Sequence, residues 1–208
     1  MKLIDIPVVF INPDHNDKYT ARKEHMIQLL KSIGFKTIIH HKSGNEAYPT
    51  CLVQATINVL QNYLNDEPII LLEDDIEPFL ELNSDSEIDF PEDTDAFYIG
   101  FSKSGGHKTL NSHDGFSHVQ KISDKYIRIL NMLTAHAIIY KSKIYKERVI
   151  LEMKKILKIP GYFNDVIIAR LQPEYKIYGY YYPLFYQSVK WGNVQHTEDY
   201  TRFRFDQI

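Results

Sequence analysis

Apolar positions follow two rhythms along this chain. Residues 8–11, 68–72 and 96–101 are short, nearly unbroken apolar runs, the pattern of strands buried on both faces. Elsewhere apolar residues recur every three or four positions. Met26, Leu29, Leu30 and Ile33 do so until Gly34, and Leu52, Ala55, Thr56, Val59, Leu60 and Tyr63 do so again. These spacings predict two helices, the first capped by Thr20 and stopped by Gly34. Residues 36–40 read as a short strand between them. The resulting β-α-β-α-β order predicts an α/β fold with a mixed, mostly parallel sheet flanked by helices.

The second half is less regular. Residues 83–95 are acidic and weakly apolar and read as a surface loop. Residues 102–118 are dominated by Gly, Ser, Lys and His; a loop of that length is typically a lid or a binding loop. Residues 126–133 and 135–140 read as strands and 143–157 as a helix. Pro160-Gly161 breaks the chain, 164–171 is a second helix, and 176–182 is a strand before a tail rich in Gln, His and Tyr. No repeat, low-complexity tract or linker interrupts this, so residues 1–208 read as one domain.

Composition narrows the choice of function. The 208 residues carry 24 basic and 27 acidic side chains, a net charge of −3. A chain so near neutrality has no broad footprint for nucleic acid or anionic lipid. The single cysteine, Cys51, cannot form an internal disulfide. The opening run is interrupted by Asp5 and Pro7, so it is not a signal peptide. No stretch approaches the roughly 20 apolar residues of a membrane span. A cytoplasmic protein is the expectation. The 15 tyrosines suit a cleft for a polar ring such as a sugar or a base, although codon bias would also enrich them.

The densest chemistry is Glu73-Asp74-Asp75, directly after an apolar strand. Ligands of open α/β sheets bind beyond the carboxyl ends of the strands. Adjacent carboxylates there are costly to keep ionised unless a cation offsets them. A hard divalent ion completed by substrate phosphates meets that need; a solvated acidic turn is the plainer alternative.

Residues 69–76, Ile-Ile-Leu-Leu-Glu-Asp-Asp-Ile, resemble the Asp-x-Asp region of GT-A fold glycosyltransferases, and especially the lipooligosaccharide glycosyltransferases of family 25. Residues 8–12 resemble that family's opening strand followed by Asn, and Arg22 with Met26 its Arg-containing helix. Cys51 stands near the place of its Gly-Cys, with Val53-Gln54-Ala55 where the family has Ser-His. Residues 135–140, Asn164-Asp165 and residues 183–188 resemble later segments in the same order. The chain is also similar to compact glycosyltransferases of large DNA viruses, which implies a virus-encoded protein acting in a host cell.

The resemblance implies a GT-A-like fold, with residues 1–101 as the nucleotide-binding half and 102–208 as the acceptor-binding half and tail. It implies transfer of a sugar from a nucleotide-sugar donor, UDP-linked, to an oligosaccharide or glycoprotein acceptor, with Mn²⁺ or Mg²⁺ neutralising the diphosphate. Asp75, Glu73 and His196 would hold the metal, with Glu77 and His136 in reserve. Ile11, Asn12, Arg22 and Asp74 would bind the nucleotide sugar. Asp165 would take the acceptor proton in an inverting enzyme; helix capping is its simpler role, just as Arg22 could lie on a solvated helix face and His136 in the core. A non-catalytic glycan- or nucleotide-binding module is the alternative function. A receiver or phosphatase domain fits less well, because its first strand would end in acids, and here it ends in Asn12-Pro13.

Overall fold

Five consecutive buried positions, Val8–Asn12, form β1, and the site is built outward from it. The computed structural model describes residues 1–101, 104–105, 115–159, 161–191 and 204–205. After β1 come α1 (Asp17–Ile33), β2 (Ile38–Lys42), α2 (Thr50–Asn62), β3 (Ile69–Glu73), β4 (Ile76–Pro78) and β5 (Ala96–Tyr98). Two short strands, β6 (Ser104–Gly105) and β7 (Gly115–Phe116), pair with each other. Then follow β8 (His118–Lys121), β9 (Tyr126–Asn131), β10 (Ala137–Tyr140), α3 (Lys143–Ile156), α4 (Asn164–Leu171), β11 (Ile177–Tyr180), β12 (Phe185–Gln187) and β13 (Arg204–Phe205).

The main sheet is mixed, with strand order β13-β8-β9-β11-β5-β10-β3-β1-β2. β1 lies parallel between β2 and β3, as the alternation predicts. β10 enters antiparallel to both β3 and β5, and β11 runs parallel to β5. The carboxyl ends of β2, β1, β3, β5 and β11 therefore share one edge of the sheet. Both faces are covered. α1 packs Met26 and Leu30 on the face of Phe10, Leu72 and Phe97. Residues of α2, α3 and α4, among them Val53, Val149 and Ile168, cover the face of Val9, Leu71 and Ile138. Each such fully buried aliphatic side chain contributes about 1.5–3 kcal/mol.

Three local outcomes differ from the sequence reading. α1 starts three residues before Thr20, because the Asn16 side chain accepts from the Tyr19 amide and Asp17 complements the helix N-terminus. Its end falls at Gly34 as expected, in a left-handed conformation (φ 96°) that glycine adopts without strain. The acidic stretch 83–95 is more than surface: Ile88 is fully buried, and the Asp95 carboxylate accepts from Ser142 Oγ and from the Lys176 amide. Residues 76–78 and 185–187, too short to show a period, pair antiparallel as a ribbon at the carboxyl edge. Most of the 102–118 loop and of the tail lies outside the described residues. Among the described residues, no helix is long and apolar enough to cross a membrane.

One buried charge is purely architectural. Lys146 of α3 is fully buried, and its ammonium donates to the carbonyls of Tyr63, Asn65 and Glu67 at 3.0, 2.8 and 2.7 Å. Burial lowers it to about 8, so it keeps its charge at neutral pH. It satisfies carbonyls just past the end of α2 and ties that end to α3.

Candidate functional site

β3 carries Glu73 to the carboxyl edge, and the chain turns at Asp74 and Asp75 before β4. The turn is held from both sides. The Glu73 amide donates to the His136 carbonyl (2.9 Å), and the Ser188 amide donates to the Asp75 carbonyl (2.8 Å). Gln187 Nε2 donates to Glu73 Oε2 at 3.2 Å.

The three acids then diverge in role. Asp74 is buried and turns into the protein: Asn12 Nδ2 donates to one oxygen at 2.5 Å and Arg22 Nη1 to the other at 2.8 Å. Asn12 also donates to the Tyr19 carbonyl. Arg22 is buried, not solvated; its second amino group donates to the Trp191 carbonyl, and its Nη1 lies 3.7 Å from the Asp75 carboxylate. The guanidinium is thus largely occupied by Asp74. Burial raises Asp74, and Arg22 and Asn12 pull it back.

Glu73 has no such relief. Burial, followed by the nearby charges of Asp75, Asp165 and Asp74, pushes its carboxyl well above the ordinary 4.5, and Arg22 opposes this only in part. Asp165 comes from the first turn of α4, where Phe163 and not Asp165 is the capping residue. Glu73 therefore sits amid three further carboxylates, two from its own turn and one from α4, against the single opposing charge of Arg22. That excess of negative charge attracts a cation or a proton.

A cavity of about 300 Å³ opens at this point, the lower end of the range for small-molecule sites. Glu73, Asp74 and Asp75 form one wall; Ile11, Lys18, Tyr19 and Arg22 form another; Ser43, Tyr48 and Cys51 close the side toward α2. Ser43 Oγ is buried and has no hydrogen-bond partner among the described residues. A larger cavity, about 600 Å³, lies beside Tyr180, Tyr181 and Tyr182. There Asp89 is already matched by Lys125 and the hydroxyls of Tyr126 and Tyr180, so the unrelieved charge lies at the smaller cavity.

The fold brings Glu73, Asp74, Asp75, Ile11 and Arg22 to one cavity and sets Asp165 beside Glu73. Asn12 stands behind the wall, fully buried. Glu77 is not among the residues lining the cavity; it pairs with His25 (3.3 Å) and Lys190 (3.8 Å). His136 is fully buried, and its Nδ1 is bonded to Thr134 Oγ1. Burial lowers it to about 4, against the pull of Asp75, so it is neutral at pH 7. His196 lies outside the described residues. Tyr48 and Ser43 went unnoticed in the sequence, and Lys18 and Tyr19 were not singled out within the loop that follows Asn12. Their signal was position: each lies in or just after a loop at the carboxyl end of β1 or β2.

The donors are hard carboxylate oxygens. Among the described residues no group of three or more His, Cys, Asp or Glu is arranged to enclose a metal. The set fits an ion held by one or two carboxylates and completed by a ligand's own oxygens, the usual Mg²⁺ arrangement.

No family model matches the chain, and no curated protein matches it in sequence. Among solved structures it is similar to the crystal structure of a glycosyltransferase involved in the glycosylation of the major capsid of PBCV-1. The identity is 10% and the TM-score 0.45, over 88% of this chain and 93% of that one.

Proposed function

We propose that the protein is a metal-dependent glycosyltransferase that moves a sugar from a nucleotide-sugar donor, UDP-linked, to a glycan acceptor. One observation carries this reading: Glu73, Asp74 and Asp75 line a cavity at the carboxyl edge of parallel strands, where burial and the neighbouring acids, Asp165 among them, hold the Glu73 carboxyl well above its ordinary range. Asp75 and Glu73 would hold Mn²⁺ or Mg²⁺, which when bound supplies the positive charge that stabilises a departing diphosphate. Asp74 has the supporting task of fixing Arg22 and the turn. Lys18 and Tyr19 also line the cavity and offer a cation and a flat ring to the nucleotide. Asp165 is the group for the acceptor. As the acceptor hydroxyl oxygen attacks the sugar's anomeric carbon and the bond to the diphosphate breaks, the hydroxyl proton passes to the Asp165 carboxylate.

Calorimetry of UDP with Mn²⁺ tests the reading directly. The native chain binds both, and Asp75→Ala weakens Mn²⁺-dependent UDP binding by about 100-fold or more. Undiminished binding in that variant would remove the acidic turn from the site. Slow hydrolysis of a UDP-sugar by the native chain with Mn²⁺, and none by Asp75→Ala, separates an enzyme from a module that only binds.

A further inference from the structure

The acidic cavity has an aromatic lip without a role in the chemistry above. Tyr48 lines the cavity from the segment between β2 and α2, and 68% of the residue is exposed. Its ring meets Phe163 edge-on, with centroids 5.7 Å apart and planes at 69°. Phe163 is the capping residue of α4, two positions before Asp165. The starts of α2 and α4 thus each bring one ring to the same place. The Tyr48 hydroxyl can donate as well as accept.

An exposed ring among carboxylates restricts what can lie on it. A phosphate needs a cation between itself and the acids, and a nucleobase such as uracil offers them a single N–H donor. A pyranose is complementary in both respects. Its C–H face packs on an aromatic ring, and its hydroxyls donate to carboxylates. We propose that Tyr48, braced by Phe163, is the platform for a pyranose ring in this cavity. The inference rests on the glycosyl-transfer reading for the reaction, but the sugar contact stands on its own geometry.

The test compares ligands with and without the sugar. Calorimetry with Mn²⁺ uses UDP alone and UDP-glucose, UDP-galactose and UDP-N-acetylglucosamine. Tyr48→Ala is expected to weaken the preferred UDP-sugar about tenfold and to leave UDP unchanged; Tyr48→Phe retains both. An unchanged thermal midpoint shows that Tyr48→Ala is folded, as the exposed ring leads one to expect. Equal weakening of UDP and UDP-sugar, or no weakening, overturns the platform. If the native chain binds neither UDP nor any UDP-sugar, the nucleotide reading fails separately. The platform is then read by saturation-transfer NMR with methyl glucoside, methyl galactoside and methyl N-acetylglucosaminide. Ring-proton contact that disappears in Tyr48→Ala supports it, and absence of contact in the native chain overturns it.

Discussion

Lys146 and Glu73 are both ionisable side chains placed against the core, and the fold treats them in opposite ways. Lys146 is surrounded by three carbonyl acceptors and keeps its charge through short hydrogen bonds. Glu73 is surrounded by other acids and receives one bond, from Gln187. Burial alone therefore does not mark a functional group here. The distinguishing property is whether the protein itself supplies the counter-charge. Where it does, at Lys146 and at the Arg22–Asp74 pair, the group holds helices and turns together. Where it does not, at Glu73, burial and the acids around it leave a carboxylate that a bound cation would stabilise.

Substitutions can break this contrast. The largest effect is expected at Arg22, the buried cation that holds Asp74. Arg22→Ala strands the buried Asp74 and should cost about 4 kcal/mol in urea unfolding. A loss below about 1 kcal/mol would mean that the acids are relieved by something other than the guanidinium. Next comes Lys146→Met, which preserves volume and leaves three carbonyls without their donor. About 3 kcal/mol is expected, with no change in Mn²⁺ or UDP binding. Loss of binding with stability intact would reverse the assignment of Lys146 to architecture.

The smallest effect carries the opposite sign. Glu73→Gln removes a like charge and should stabilise the ligand-free protein at pH 7 while weakening Mn²⁺ binding. Glu73 binds its proton more tightly folded than unfolded, so its contribution is fully present below the ordinary value of 4.5. That contribution is lost as the pH rises from there through the raised folded value. Unfolding midpoints followed upward from pH 4 should therefore fall less steeply in Glu73→Gln than in the native chain. Parallel profiles would show that Glu73 is not under strain.

Much of the frame was legible because hydrophobic period reports local structure directly. The runs at 8–11 and 68–72 became β1 and β3, and the three- and four-residue spacings became α1 and α2. The acid triplet was visible because charge directly after a buried run is costly wherever the chain goes. Boundaries were less legible. Thr20 looked like a cap, but Asn16 and Asp17 compete for the same helix start, and only the folded backbone shows which side chain reaches the amides. The ribbon of β4 and β12 was invisible, since three-residue strands have no period to read.

The sequence by itself determined the alternation of strands and helices, the apolar faces, and the acids at the end of one strand, because these follow from spacing and from the cost of burying charge. The tertiary structure decided how those acids differ. Asp74 faces Asn12 and Arg22, while Glu73 faces Asp75 and Asp165, and Tyr48 reaches the same cavity from another loop. All but the Glu73–Asp75 relation join residues tens of positions apart. Coulombic and packing energies depend on distance through space, which no spacing along the chain encodes.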